Sequence, residues 1–178
     1  MLSEAGAAVV LKRLPPGEVP QPGDVELCDT AIASEAYDMV RPSPRMEALR
    51  HVAKRLLANR RIDMIHPHAP GTREHDPTEL GIYRDLLAGN DTVPDLYAAK
   101  GALGHSLGAA GLCSLVLAWL SLTLGQRPPM PWLSQPIDAA GPQWQPTAGG
   151  QACSRTGVHA VFAAGFAGHT AGAVLQRH

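Results

Sequence analysis

The chain has 178 residues, of which 45% are hydrophobic, and carries a formal net charge of −1. This length and composition suit one domain of ordinary size or half of a larger one. The near-neutral charge offers no positive surface for a phosphate backbone or an anionic lipid, so we expect neither nucleic acid nor a membrane as a partner.

The first predicted elements are two strands and a helix. Residues 5–11 are a short apolar run with β-branched members, which predicts a strand, and the connector LPPGEVPQPGD that follows can continue neither helix nor strand. Residues 25–33 predict a second strand. Residues 43–59 have apolar side chains at helical spacing, and Ser43 followed by Pro44 is typical of an N-cap and a first helical position.

The middle of the chain continues as strand, loop and helix. Residues 62–65 are a short apolar strand that leads into the loop HPHAPGT. Asp76 and Pro77 then open a helix that runs to about Leu87. This alternation predicts an α/β fold.

A long apolar helix and two strands are predicted near the C-terminus. Residues 106–124 are uncharged and long enough to span a bilayer, but small and hydroxylated residues interrupt them. We interpret this segment as a helix buried on all sides of a soluble protein, with a membrane span as the alternative. Residues 134–155, rich in Pro, Gly and Gln, predict a surface loop, and residues 157–164 and 171–175 predict the closing strands.

Charges and cysteines give two further expectations. Beyond Gly101 only four side chains of Asp, Glu, Lys or Arg occur, so we expect this part to lie in an interior or against another subunit. Cys28, Cys113 and Cys153 lie far apart without the paired spacing of zinc or redox sites, and the N-terminus lacks the basic region of a secretory signal. We expect a cytoplasmic protein with reduced thiols and no targeting peptide.

Histidines occur in three segments that can converge on one site. His66 and His68 follow a strand, His105 lies at the start of the long helix, and His169 ends the turn GFAGH. Loops at strand ends and helix N-termini are where α/β folds bind ligands. A metal site built from His66, His68 and His105 is conceivable, but no acidic or thiolate ligand has a recognised spacing, and we expect no metal.

Two longer strings in the same region carry a family resemblance. They are IDMIHPHAPGTREHDPTELGIYRDLL and YAAKGALGHSLGAAG. Both resemble the C-terminal signatures of the β-ketoacyl synthases, thiolase-like condensing enzymes that write them approximately as NAHGTGTxxxDxxE and STKxxxGHxxGAAG. LSEAGAAVVL resembles the family's strand before its half-way crossover, and AGFAGHTAGAVL resembles its closing GFGGTNA segment. The resemblance spans nearly the whole chain in the right order.

The resemblance implies a fold and a division of the chain. The fold is the five-layer αβαβα thiolase-like fold made of two related halves, of which this chain supplies the C-terminal half with a mixed five-stranded sheet. Residues 1–20 then form the end of the N-terminal half and its connector, and residues 21–178 form the C-terminal domain. The implied activity is decarboxylative Claisen condensation of an acyl thioester with malonyl-ACP in fatty-acid or polyketide synthesis. The implied partners are an acyl carrier protein and a second ketosynthase chain, as a homodimer or heterodimer, and no cofactor is required.

The resemblance also implies roles for individual residues. His68 and His105 match the two catalytic histidines, which donate hydrogen bonds to the enolate that develops as malonyl-ACP decarboxylates. Lys100 matches the active-site lysine that organises the polar network. Thr72 matches a threonine near the pantetheine arm, and Phe166 matches the aromatic gate beside the nucleophile.

Two carboxylates of the same loop string also match the family, whereas its nucleophile has no match in place. Asp76 and Glu79 match family carboxylates, and at a helix N-terminus we expect them to be structural. The nucleophilic cysteine of the family lies in the first half, and no segment of this chain resembles it in place. Cys153, in GGQACSRTG, superficially echoes a nucleophile string, whereas Cys28 and Cys113 are better interpreted as small core residues.

Some positions depart from the family pattern. His66 and Pro67 replace Asn-Ala, Pro70 replaces a threonine that helps bind pantetheine, and Ser114 replaces a glutamate close to the active-site lysine. Loss of a buried carboxylate beside an ammonium alters the charge balance of such a site. These departures favour an alternative function, a non-catalytic partner subunit that resembles a chain-length factor.

Overall fold

The computed structural model describes residues 1–90, 92–133, 135–137, 151–152 and 157–178, without the side chains of 151–152. The strands are β1 (Val25–Ser34), β2 (Met64–His66), β3 (Asp95–Leu96), β4 (Gln126–Arg127), β5 (Gln151–Ala152), β6 (Val158–Ala164) and β7 (His169–Arg177). The α-helices are α1 (Glu47–Leu57), α2 (Asp76–Leu87), α3 (Lys100–Leu103) and α4 (Ala110–Leu124). Short 3-10 turns occupy Leu107–Ala109 and Phe166–Gly168.

A mixed five-stranded sheet forms the centre of the molecule, in the order β1-β7-β6-β2-β3. β1, β7 and β6 pair antiparallel, whereas β6, β2 and β3 pair parallel. The expected mixed five-stranded sheet is therefore confirmed. Because β2 and β6 are parallel neighbours, the loops after them emerge at the same edge.

Helices cover both faces of this sheet. Side chains alternate along a strand, so Phe162 of β6 packs with α1 and α2 on one face, and Val161 packs with Ala118 and Leu122 of α4 on the other. The described residues thus form three layers, αβα, around one large sheet. The other two layers of the expected five-layer fold would need a second large sheet.

The predicted strand at residues 5–11 is wrong. These residues form no ladder with any described part of the chain, and the one pairing nearby is an isolated parallel bridge between Leu2 and His105. Val9, Val10 and Leu11 are exposed. A strand needs a neighbour for its backbone groups, and none of the described strands lies alongside this segment.

The predicted N-cap at Ser43 and Pro44 is also wrong, because α1 begins at Glu47. Residues 43–46 form a turn in which Met46 N–H donates to the Ser43 carbonyl at 3.1 Å. Met46 has a left-handed conformation with φ of 46°, which no helix continues through. Its side chain is buried in the core, and that burial offsets the backbone strain.

The long apolar helix is buried on one face only, which corrects the expectation of burial on all sides. Its buried residues form a stripe at helical spacing, namely Ala110, Ser114, Ala118, Ser121 and Leu122. Trp119 and Leu124 on the remaining surface are exposed, since nothing among the described residues packs over them. The segment Leu107–Leu124 is long and apolar enough to cross a membrane by length and composition.

The remaining predicted elements compare well with the structure. The predicted helix from Asp76 to Leu87 is confirmed as α2, and the strands at 25–33, 62–65, 157–164 and 171–175 are confirmed as β1, β2, β6 and β7 with shifted ends. β3 was not predicted because its two residues are too short to show a pattern. The predicted loop at 134–155 lies largely outside the described residues.

Candidate functional site

A cavity of about 580 Å³ opens at the sheet edge where β2 and β6 end. Four residues singled out from the sequence, His68, His105, Thr72 and Phe166, line it together. The other lining residues are mainly apolar. They come from the N-terminal segment, the loops after β1 and β2, the start of α1 and the 3-10 turn before α4, and they include Leu2, Val40, Met46, Leu49, Pro70 and Leu107. The cavity therefore combines an apolar wall with a few polar groups, as ligand sites do.

Two carboxylates of α2 hold the loop that carries His68. Glu79 accepts the N–H of His68 at 2.7 Å on one oxygen and the N–H of Ala69 at 2.8 Å on the other. Asp76 accepts the N–H groups of Gly71 and Thr72 at 3.1 and 3.2 Å. Both carboxylates thus have the structural position that was expected at the helix N-terminus.

Glu79 is ionised although it is only 1% exposed. Burial acts to raise its pKa, but His75 and other partners outweigh burial and lower the pKa to about 2. The Tyr83 hydroxyl also donates to it, at 2.7 Å. A buried carboxylate is stable only when its oxygens are satisfied in this way, so Glu79 fixes the loop rigidly.

His68 is a buried, neutral imidazole. Burial and the positive charge of Lys100 lower its pKa to about 3. Its Nδ1 has no hydrogen-bond partner among the described residues. At neutral pH it is therefore a donor or acceptor without charge.

Lys100, at the start of α3, lies behind His68 and does not line the cavity. Its Nζ donates to the main-chain carbonyl of His68. Burial lowers the pKa of this ammonium, while the charges of Glu79 and Asp76 act in the opposite direction. The lysine thus positions the His68 loop and influences the charge of the site.

His105 is held by the first residues of the chain. Its N–H donates to the Met1 carbonyl at 2.9 Å, and its carbonyl accepts the N–H of Ser3 at 3.1 Å. Gly104 allows this approach, since a Cβ there would lie 2.7 Å from the Ser3 Cβ and the φ is +72°. Met1 and Ser3 thus help to place His105.

The tautomer of His105 follows from its contacts. Its Nδ1 accepts the N–H of Leu107 at 3.1 Å, which leaves the ring proton on Nε2 when the ring is neutral. Burial and the charge of Lys100 lower its pKa, which favours the neutral ring. The His68 and His105 ring centroids are 5.3 Å apart at 75°. Two uncharged imidazoles therefore meet at the cavity, where N–H groups can stabilise a developing oxyanion.

Thr72 and Phe166 contribute to the cavity in different ways. Thr72 is exposed, and its Oγ1 accepts the N–H of His75 at 3.2 Å, so the side chain also shapes the loop. Phe166 is 65% exposed on the short turn between β6 and β7. Gly168 lets this turn pass close to Glu35, whose carbonyl oxygen would clash with an added Cβ.

The structure does not bring His66 to the site. His66 ends β2, is fully buried, and places its Nε2 3.3 Å from Nδ1 of His159, with Tyr97 against its ring. His66, His68 and His105 therefore do not meet as one set of ligands. Among the described residues no cluster of three or more His, Cys, Asp or Glu side chains is arranged to hold a metal ion.

His75 is the site residue that sequence reasoning missed. It lines the cavity, is buried, and its ring centroid lies 5.0 Å from that of His68. A signal was present, because His75 falls inside the quoted loop string and four residues before Glu79, which is one helical turn. His169, also regarded as a scattered histidine, lines the cavity too.

The cysteines lie away from the cavity or outside the described residues, and the positions that depart from the family pattern lie in two different places. Neither Cys28 nor Cys113 lines the cavity, and Cys153 lies outside the described residues. Pro70 is part of the cavity wall, and Ser114 is buried in the α4 stripe. The described part of the cavity thus has polar donors but no thiol.

Comparison with known proteins identifies relatives of this site. The family model described as β-ketoacyl synthase, C-terminal domain, matches residues 25–133. The 3-oxoacyl-[acyl-carrier-protein] synthase 2 of Mycobacterium tuberculosis is 38% identical over 104 residues, which are 56% of this chain and 24% of that protein. The protein of the same name from Coxiella burnetii is 28% identical over 116 residues, 62% of this chain and 28% of that protein. This chain therefore spans about a quarter of these relatives.

Solved structures agree on the fold. A ketosynthase in complex with its chain length factor from Xenorhabdus doucetiae has a TM-score of 0.72 and 26% identity, and the match covers 90% of this chain and 40% of that chain. A type II polyketide synthase acyl-carrier protein in complex with its ketosynthase gives a TM-score of 0.76 at 19% identity, with coverage of 86% and 38%. The fold is thiolase-like.

Proposed function

Since this chain belongs to the β-ketoacyl synthase family and matches its C-terminal domain, we propose that it is the C-terminal part of a 3-oxoacyl-ACP synthase. The complete enzyme would carry out decarboxylative Claisen condensation of an acyl thioester with malonyl-ACP. The nucleophilic cysteine would come from the N-terminal half of the family's fold, outside the 178 residues of this chain. In this proposal the chain supplies the groups that stabilise the enolate.

The observation that carries the proposal is the meeting of two uncharged imidazoles at one cavity, with ring centroids 5.3 Å apart. When the malonyl carboxylate leaves as CO₂, the bonding electrons move onto the thioester and form an enolate. N–H groups of His68 and His105 would stabilise the enolate oxygen. The enolate carbon then attacks the acyl thioester held on the cysteine, and the thiolate is released.

The other site residues have supporting roles in this proposal. Lys100 would hold the His68 carbonyl, and its charge would add to burial in lowering the pKa of both histidines. Thr72, at the cavity mouth, would contact the pantetheine arm, and the exposed Phe166 would act as the gate. No metal or redox cofactor is needed for this chemistry.

We propose that the domain runs from 21 to 178, with residues 1–20 as the end of the first half. The matched region ends at residue 133, but β6 and β7 after it occupy the middle of the sheet, which supports the longer extent. An acyl carrier protein and a second ketosynthase chain, identical or different, would be its partners in the cytoplasm. The exposed face of α4 would pack against the missing half rather than a membrane.

Two features favour a second candidate, a non-catalytic subunit that resembles a chain-length factor. Ser114 is buried where the family has a glutamate, and Pro70 lines the cavity where the family has a threonine. Such a subunit would shape the pocket of an active partner. The residue at the nucleophile position of the missing half distinguishes the two functions, since a cysteine there favours the enzyme.

The test is condensation of radiolabelled acyl-ACP with malonyl-ACP. Four proteins are compared: this chain, a form extended upstream through the missing half, that extended form with His68→Ala, and that extended form with His105→Ala. The extended form is expected to give product and this chain none. Either substitution should reduce the product of the extended form about a hundredfold or more. His51→Asn, on the exposed surface of α1, is the matched control. Failure of the extended form to condense, with both substrates loaded and the protein folded, would support the chain-length-factor candidate.

A further inference from the structure

His75 is a buried titratable group beside the cavity that the proposed mechanism does not use. It immediately precedes α2 and is 7% exposed. A histidine has a polar ring that needs partners when it is taken from water, so its contacts indicate what it does there. The contacts of its ring are with His68 itself and with Glu79, which binds the His68 backbone.

Two contacts connect His75 to His68. Nδ1 of His75 lies 3.3 Å from Oε2 of Glu79, the carboxylate that accepts the His68 and Ala69 N–H groups. This contact is electrostatic, because its geometry is not that of a directed hydrogen bond. The ring of His75 also packs on the ring of His68, with centroids 5.0 Å apart at 58°. One side chain therefore touches both the ring of His68 and the group that holds its main chain.

The charges around His75 support a hydrogen atom on Nδ1. The groups that act on it electrostatically are Glu79 and Asp76 of α2, His68 of the loop and His105 beyond it. Glu79 is the nearest and is ionised, so an N–H on Nδ1 is favoured over a lone pair. A donor there stabilises Glu79 in the form that accepts the two backbone N–H groups.

We infer that His75 is a positioning residue of this site, which secures Glu79 through Nδ1–H and supports the His68 imidazole through its ring. The inference deepens the proposed function and depends on it for the role of His68. The two contacts can be removed one at a time. Asparagine at position 75 keeps a donor where Nδ1 lies but has no ring, whereas phenylalanine keeps a ring but has no donor.

The experiment uses the full chain with His75→Asn or His75→Phe, and His51→Asn as control. Amide hydrogen exchange of His68 and Ala69 reports on the Glu79 contact, and imidazole ¹⁵N resonances of His68 report on the ring contact. His75→Phe is expected to speed exchange of both amides about tenfold and to leave the His68 resonances in place. His75→Asn is expected to do the opposite, with exchange within about twofold of the parent and displaced or broadened His68 resonances.

In this crossed pattern, each of the two variants changes a different readout. The pattern distinguishes a positioning role of His75 from simple filling of space. Unchanged amide exchange in His75→Phe would overturn the inference, and so would unchanged His68 resonances in His75→Asn. If His75→Phe also loses exchange protection in α1, that variant is misfolded. The inference is then judged from His75→Asn alone, by its His68 resonances and its amide exchange rates. Neither readout needs turnover, so a protein that fails to condense substrates leaves this result standing, and an active protein without the crossed pattern refutes this inference alone.

Discussion

The buried pair of His66 and His159 should make the chain sensitive to acid. Both residues are almost wholly buried, with Nε2 of His66 3.3 Å from Nδ1 of His159. Burial lowers the pKa of His159 to about 4 and that of His66 well below its usual range, and in His66 the neighbouring His159 adds to the effect. Both rings stay largely neutral in the folded chain down to about pH 5, whereas in the unfolded chain they take up protons as the pH falls through about 6.5.

The direction and size of the pH effect on the free energy of unfolding follow from this difference in proton uptake. Below the unfolded pKa of about 6.5, the unfolded chain binds more protons than the folded chain, so the free energy of unfolding falls as the pH falls. For His159, with a folded pKa of about 4, the loss between pH 7.5 and pH 5 is about 2 kcal/mol. The full loss in the free energy of unfolding is reached only below the folded pKa of His159.

The perturbation is His159→Asn, which keeps a polar atom near Nδ1 to face His66 and removes one titrating ring. Urea unfolding followed by circular dichroism at pH 7.5 and pH 5 gives the free energy of unfolding of each protein. The loss between these pH values should be about 2 kcal/mol smaller in His159→Asn than in the parent. Comparing losses cancels any constant packing cost of the substitution.

His51→Asn is the matched control, because it removes a histidine that is exposed on α1 and lies outside the buried pair. An acid loss in His159→Asn equal to that of the parent would refute the reasoning. It would mean that His159 is charged in the folded chain or accessible to water at pH 5.

Three further predictions concern the loop and the residues around the cavity. Glu79→Gln puts an amide where buried N–H donors converge and should lower the free energy of unfolding by roughly 3 kcal/mol, measured by urea unfolding. Gly104→Ala brings a Cβ against Ser3 at a positive φ and should cost about 1–3 kcal/mol in the same assay, with faster exchange of the His105 amide; unchanged exchange would contradict the contact. Burial lowers the pKa of His105 most and the Lys100 cation adds to this effect, so Lys100→Met should raise the titration midpoint of His105 in NMR, and a fall would contradict this account.

Local pattern predicted most of the elements but not their ends. The α2 helix was predicted correctly because Asp76 and Pro77 are strong signals for a helix start and act through the adjacent backbone. The start of α1 was missed although Ser43 and Pro44 give a similar signal, because burial of Met46 in the core holds a left-handed turn there. Such burial depends on segments that are distant in the sequence, so the residues next to Ser43 do not indicate it.

The family resemblance came from ordered strings, which the amino-acid sequence contains in full. It therefore indicated the fold, the C-terminal position within the family and the pairing of His68 with His105 at one cavity. Those features depend on which residues follow one another, and a family keeps that order.

The direction of each histidine was decided by tertiary structure. His66 and His68 are two residues apart and would share a face of a continuous strand, but β2 ends at His66 and the loop turns His68 toward the cavity. His75 is seven residues from His68 in sequence, yet Glu79 draws the loop back so that their rings touch. The sequence by itself determined which chemical groups are available. The closed loop decided which of them meet, because a buried carboxylate needs hydrogen-bond donors and accepts them from whichever segments the fold places beside it.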